Sequence, residues 1–287
     1  MKHITKFLVL ALALCQITFA NQLLAQQGMD AQSKAKYAKI SKVLLENNHK
    51  TVPELMVMAA KQMLGTEYVA GSLELVPERL KVSLVETDCI LFVETCMAMA
   101  MNAKKGYDSP DSLCAAIQRT RYRNGIVDGY ASRIHYTSEW IRQGEGRGIF
   151  REITDVLSGD NLSGQRFSYM SKHSSAYKQL NENPAEVLRI SEMEDYLNSF
   201  SDYYVIPKAD VKKMEHLLKD GDILGFNSSV DGLDIAHVAF VYRKENGQVG
   251  FIHASQGDGK VVIDEKSIHD YVNSRKSNDG IRIIRVK

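Results

Sequence analysis

Apolar positions follow helical spacing early in the chain and alternate along strands late in it. Between residues 31 and 65, Leu44, Leu45, Leu55, Ala59, Met63 and Leu64 recur among polar neighbours, which predicts helix. Segments 65–69 and 73–76 read as short extended pieces around a Gly71-Ser72 turn. Lys81-Val82-Ser83-Leu84-Val85 alternates as a strand does. It runs into Leu91, Phe92, Thr95, Cys96, Met99 and Ala100, near 3.6-residue spacing, with neither Gly nor Pro through Ala100. A second helix is predicted over 111–122.

The texture changes from Gly125 to Gly148, where Tyr130, Arg133, His135, Tyr136 and Trp140 crowd together. Aromatic and hydrogen-bonding groups beside glycine-rich sequence suit a substrate-binding wall, although Trp140 fits equally well as the lid of a core helix. Residues 150–202 are polar and weakly periodic. The final third reads as an antiparallel sheet of about five strands: Ile223-Leu224-Gly225-Phe226, Ala236 to Tyr242, Val249 to His253, Val261-Val262-Ile263, and Ile281 to Ile284. Lys244-Glu245-Asn246-Gly247 carries the Asn-Gly hairpin signal. Alternation then places His237, Ala239 and Val241 on one face of their strand, and Val249, Phe251 and His253 on one face of the next. The hairpin brings the two histidines together.

The chain opens with Lys2 and Lys6, then an apolar run from Phe7 to Leu14 that weakens toward Ala20. This is the pattern of a secretory signal peptide, too short for a stable membrane span. Thr18-Phe19-Ala20 fits cleavage before Asn21, and cleavage after Ala25 is a second option. Leu14 directly before Cys15 is poor for a lipoprotein site, so an exported, periplasmic protein without a lipid anchor is expected. The mature chain, 21–287, has no second membrane-length apolar run and suffices for a single catalytic domain. Within it, 31–65 would be a helical N-terminal extension and about 105–202 a mainly helical insertion.

With 36 Lys and Arg against 35 Asp and Glu, dispersed along the chain, there is no electrostatic footprint for nucleic acid. No signal sets an oligomeric state. Of four cysteines, Cys89, Cys96 and Cys114 lie beyond the leader. Cys89 and Cys96 share a helix face about 10 Å apart, too far for a disulfide. Cys96 and Cys114 fit as small buried hydrophobes. Cys89 differs: Thr87 or Asp88 can cap the helix it begins, and the helix dipole there favours thiolate over thiol.

A thiol nucleophile needs a base, and the base needs a partner that fixes its tautomer. Cys89, His237 and His253 meet these needs in that order, with the Cys89 N–H as one oxyanion donor. His135 competes for the orienting role but is preferred as a substrate contact. His173, His216 and His269 lie in polar, helix-like sequence and read as surface residues. Zinc ligation by Cys89, His237 and His253 lacks any close paired spacing, so neither a metal nor a cofactor is expected.

These residues resemble a known pattern. Asp88-Cys89-Ile90-Leu91-Phe92-Val93 resembles the Asp-Cys-x-x-Phe-Val motif of NlpC/P60 cell-wall peptidases, His237-Val238-Ala239-Phe240-Val241 their histidine strand, and Phe251-Ile252-His253-Ala254-Ser255 the strand of the third catalytic residue. Arg133-Ile134-His135-Tyr136 with Trp140, Gly232-Leu233-Asp234-Ile235-Ala236-His237, Val261-Val262-Ile263-Asp264 and Asp270-Tyr271 resemble the branch formerly called domain of unknown function 1460. Ile90-Leu91 departs from it, standing where the wider superfamily commonly has a smaller or more polar pair.

The resemblance implies an α+β, papain-like core, in which the nucleophile's helix packs on a roughly five-stranded antiparallel sheet. It implies a Cys89-His237-His253 triad, with Asp88, Tyr130, Arg133, His135, Tyr136, Trp140 and Asp234 at the substrate. The implied activity is that of an N-acetylmuramoyl-L-alanine amidase acting on soluble 1,6-anhydro-muropeptides. An endopeptidase cutting between D-Glu and diaminopimelate is the alternative with the same triad, and a non-enzymatic envelope protein is a third reading.

Overall fold

The computed structural model describes residues 28–287 apart from Ser158 and Ser163, so the expected leader and Cys15 lie outside the described residues. The segment expected to be helical over 31–65 is two helices, α1 (Ala31–Glu46) and α2 (Val52–Gln62). Asn47 closes the first, and the second restarts on a capping box in which Thr51 and Glu54 satisfy each other's backbone N–H. Strands β1 (Glu67–Tyr68) and β2 (Glu86–Thr87) run parallel to each other.

The strand expected over 81–85 is not one. Only Val82 bridges, to Met29; Ser33 Oγ accepts the Leu84 N–H, and Arg121 donates to the Lys81 carbonyl. Side chains of the helical layer take up these backbone groups, so alternating burial here marks an extended strap without strand neighbours.

Helix α3 (Cys89–Lys104) is buried on nearly every side, as its apolar composition requires. Helix α4 (Pro110–Arg121) packs beside it, tied by a buried Arg121–Glu94 ion pair at 2.8 Å. Then come α5 (Thr137–Gly146), β3 (Phe150–Glu152), β4 (Asp160–Asn161) and the single turn α6 (Tyr169–Lys172). Helix α7 (Pro184–Asn198) was hidden in polar sequence: it buries Ile190, Met193 and Leu197 but exposes Leu188 and Tyr196, which blurs its stripe.

After β5 (Tyr204–Pro207) and α8 (Lys208–Met214) come β6 (Ile223–Ser228), β7 (Ile235–Arg243), β8 (Val249–Ser255) and β9 (Lys260–Ile263). Helix α9 (Ile268–Ser274) and β10 (Asn278–Val286) complete the chain. Strands β6 to β10 are the five read from the sequence, and they pair antiparallel in the order β9-β8-β7-β6-β10. Short strands extend this sheet: β1 and β2 beyond β9, β5 and β4 beyond β10, with β3 also on β10.

The sheet buries both faces. Val238, Phe240, Ile252, Ala254 and Ile284 meet the layer of α1 to α4, where Phe92 meets Phe240 edge-on at 5.5 Å. Leu224, Phe226, Ala239, Val241, Phe251 and Ile283 face the other way, toward Ile268, Tyr271 and Val272 of α9. The fold is α+β, with the cysteine helix on a central antiparallel sheet.

Candidate active site

Cys89 is the first residue of α3. Asp88 caps the helix by accepting the Leu91 N–H at 2.9 Å. Burial of Phe92, Val93 and Cys96 anchors the turn, so the thiol is held by the core rather than by a mobile loop. The histidines come from the sheet. The Val241↔Phe251 pair sets the register that puts His237 and His253 on one face. His237 Nε2 and His253 Nδ1 are 2.7 Å apart, so one of these nitrogens carries a proton toward the other.

Two features let a helix on one face reach histidines on the other. The β7–β8 ladder runs from Arg243↔Val249 to Phe240↔Ile252 and goes no further, so the strands part before the histidines. There the Val238 N–H is directed at the Cys89 sulfur, as are N–H groups of the first α3 turn. Cys89, Ala236 and His237 border two clefts.

Burial opposes the helix-start effect expected for the thiol. The surrounding protein desolvates the Cys89 thiol, and with Asp88 nearby pushes it up to about 12, outweighing the helix-start N–H groups. Burial beside Phe226 and Tyr271 drives His237 down to about 3, with His253 and Arg275 adding to the fall. His253 is also lowered by burial, against an opposing pull from Asp264. Burial thus works against charge on the thiol and on both imidazoles.

The first cleft, about 170 Å³, is lined by Ile90, Glu94, Ile134, His135, Tyr136 and Trp140, together with residues 235–238 of β7. His135 donates from Nε2 to the Tyr130 carbonyl at 3.0 Å, leaving Nδ1 as an acceptor. Burial and the nearby Arg133 hold it neutral. Tyr136 is buried, its hydroxyl donating to Glu194 at 2.7 Å. Trp140 stacks on Phe150 at 4.4 Å, so it is core packing and cleft wall at once.

Tyr130, Arg133 and Asp234 do not line this cleft. Arg133 lies over the Tyr130 ring and pairs with Glu74 and Glu78. Asp234 is buried and accepts from the Ser138 and Ile235 N–H groups, fastening α5 to β7. Cys96 is buried in the core.

The second cleft, about 390 Å³, is lined by Tyr68, Ser255, Gln256, Tyr271, Arg275 and Asn278 among others. Sequence reasoning missed Tyr68 and Arg275. The Tyr68 phenol is pushed up to about 12 by burial and by Cys89 and Asp88, so it stays an O–H donor beside the thiol. Arg275 is exposed, with no carboxylate partner among the described residues. Asp264 was also missed as a site residue. Its Oδ2 lies 3.3 Å from His253 Nε2, and the only signal was an acid at an alternating position beyond β9.

A cysteine at a helix start, bordering the same clefts as one of two paired imidazoles on an α+β core, fits the NlpC/P60-like class. The chain belongs to the AmiA-like family, N-acetylmuramoyl-L-alanine amidase-like, whose model matches residues 58–281. Among solved structures, an N-acetylmuramoyl-L-alanine amidase from Bacteroides uniformis is 32% identical, with a TM-score of 0.76 over 82% of this chain and 99% of its own. A Bacteroides fragilis protein provisionally called a xylanase is 33% identical, with a TM-score of 0.73 over 79% and 99%. A Legionella pneumophila protein at 22% identity shares the fold, with a TM-score of 0.64 over 86% and 93%. No curated protein sequence matches at a significant level. The family makes the chain an amidase-like hydrolase. Among the described residues no helix is long and apolar enough to cross a membrane.

Proposed function

We propose that this protein is an exported cysteine amidase that splits soluble muropeptides between (1,6-anhydro)MurNAc and L-Ala. The observation that carries the mechanism is the Cys89 thiol at the same clefts as His237, whose Nε2 lies 2.7 Å from His253 Nδ1. As Cys89 Sγ attacks the lactyl carbonyl carbon, its proton passes to His237 Nδ1. The oxyanion is met by the Cys89 N–H and by the Tyr68 O–H. Collapse breaks the C–N bond, His237 returns the proton to the leaving L-Ala nitrogen, and a thioester remains on Cys89. Water, deprotonated by His237, then releases the lactyl carboxylate and restores the thiol. No step needs a metal or cofactor.

The clefts suit the two halves of such a substrate. The cleft walled by His135, Tyr136 and Trp140 fits the sugar ring, and the one holding Arg275 fits the stem peptide's carboxylates. The leader at 1–20 would deliver residues 21–287, as one catalytic unit, to the compartment where such fragments form. The matched amidase supports this choice of bond.

The test is mass spectrometry of products from GlcNAc-anhydroMurNAc-tetrapeptide incubated with the mature protein or with Cys89→Ala. Free disaccharide and intact tetrapeptide from the wild type alone are expected. Cleavage within the peptide would move the enzyme to the endopeptidases, and no product from folded wild type would overturn the substrate.

A further inference from the structure

His253 is a bridge with two ends. Its Nδ1 meets His237, while its buried Nε2 makes no well-formed hydrogen bond and lies 3.3 Å from Asp264 Oδ2. That carboxylate is held in place. Oδ1 accepts the Lys266 N–H at 2.8 Å, and the Asp264 N–H donates to the Phe251 carbonyl at 3.0 Å. The His253↔Val262 pair puts Asp264 diagonally across from His253 on the same face.

We infer that Asp264 is a positioning residue that fixes the tautomer of His253 and, through it, that of His237. This rests on the cysteine–histidine mechanism proposed above. A carboxylate accepts hydrogen bonds and donates none. It therefore keeps the His253 proton on Nε2 and leaves Nδ1 as an acceptor. His237 must then donate from Nε2, which leaves its Nδ1 lone pair free for the thiol proton.

The opposite tautomer would disarm the site. A proton on His253 Nδ1 would be donated to His237 Nε2, and neutral His237 would carry its own proton on Nδ1. No base would then face the sulfur. The other charged groups acting on His253 are Asp258, whose Oδ2 accepts from Ser255 Oγ at 2.6 Å, and Arg275. Neither forms a hydrogen bond with His253 Nε2. At 3.3 Å the Asp264 contact is long for a resting bond, and such bonds tighten as charge develops on the base.

Two-bond 1H–15N NMR of the full mature chain with 15N-histidine reads both tautomers directly. Wild type should show Nε2–H at both His237 and His253. In Asp264→Ala, His253 should shift toward Nδ1–H, and kcat on the anhydro-muropeptide should fall about a hundredfold with KM within about threefold. Asp264→Asn, whose amide oxygen still accepts, should recover at least about a tenth of the wild-type kcat. A folded Asp264→Ala enzyme with wild-type kcat and tautomers overturns the inference. So does Nδ1–H at His253 in the wild type, even if every variant fails to fold. If wild type cleaves no muropeptide, the substrate reading falls, while the tautomer spectra still decide the role of Asp264.

Discussion

The two clefts that meet at Cys89 are built by opposite means. The smaller is walled by side chains that also serve the core: Trp140 stacked on Phe150, and Tyr136 bonded to Glu194. Gly144 shows how tight this wall is, since a Cβ there would sit 1.9 Å from the Phe150 ring. The larger is lined by strand ends and by exposed Gln256, Arg275 and Ser277. One cleft has a fixed shape and the other an adaptable charge. Substitutions in the first should therefore cost stability and shape together, whereas those at the exposed positions of the second should cost binding alone.

The largest expected effect ignores the division. Cys89→Ala should reduce turnover to background on any substrate while the protein stays folded, and His237→Ala nearly as far. His253→Ala should lose less, about a hundredfold in kcat, because it acts through its neighbour. Steady-state kinetics with melting curves check all three, and a fully active Cys89→Ala protein would sink the mechanism.

Trp140→Ala sharpens the comparison on the rigid side. Loss of a buried indole should destabilise by about 3–5 kcal/mol, seen in urea unfolding. Gly144→Ala should cost about 1–3 kcal/mol by overpacking Phe150. Arg275→Ala tests the other side. It should raise KM for carboxylate-bearing stem peptides about tenfold, with kcat and melting temperature nearly unchanged. An equal loss of stability from Arg275→Ala would erase the distinction between the clefts.

Two pH experiments probe the thiol between them. With the Cys89 thiol pushed up to about 12, iodoacetamide alkylation should be slow at neutrality and climb through alkaline pH. A plateau below pH 8 would reveal a resting ion pair instead. His237 is lowered in the folded state, so between about 3 and its unfolded value of about 6.5 the unfolded chain binds more protons. Its contribution is complete above that window and lost as pH falls through it. Buried Glu94 and Asp234, held high by burial, act with the opposite sign. Comparing melting temperatures of wild type and His237→Phe from pH 7 to 4 isolates the imidazole. The smallest expected effect is Asp88→Ala, about 1 kcal/mol from the lost cap.

Strands β6 to β10 were legible because each alternates within a short window and the Asn-Gly turn fixes the hairpin. The Cys89 helix was legible from its cap and its apolar run. The 81–85 segment misled because alternation records burial, and burial against helices looks the same as burial in a sheet. Arg133 stood out in a dense polar and aromatic stretch and Asp234 through the family resemblance, yet each is engaged by a neighbour distant in sequence, Glu78 and Ser138. Residue type announces a capacity for hydrogen bonding, whereas the fold decides who uses it.

The sequence by itself determined the seat of Cys89 and the shared face of the two histidines, which follow from local capping and periodicity, and its resemblance to a known family carried the α+β class. Only the tertiary structure decided that burial opposes charge on the thiol, that His253 faces Asp264, and that two unlike clefts border Cys89. Charge states depend on desolvation summed over every neighbour, and clefts lie where separate elements fail to fill space. Neither quantity is carried by a window of adjacent residues.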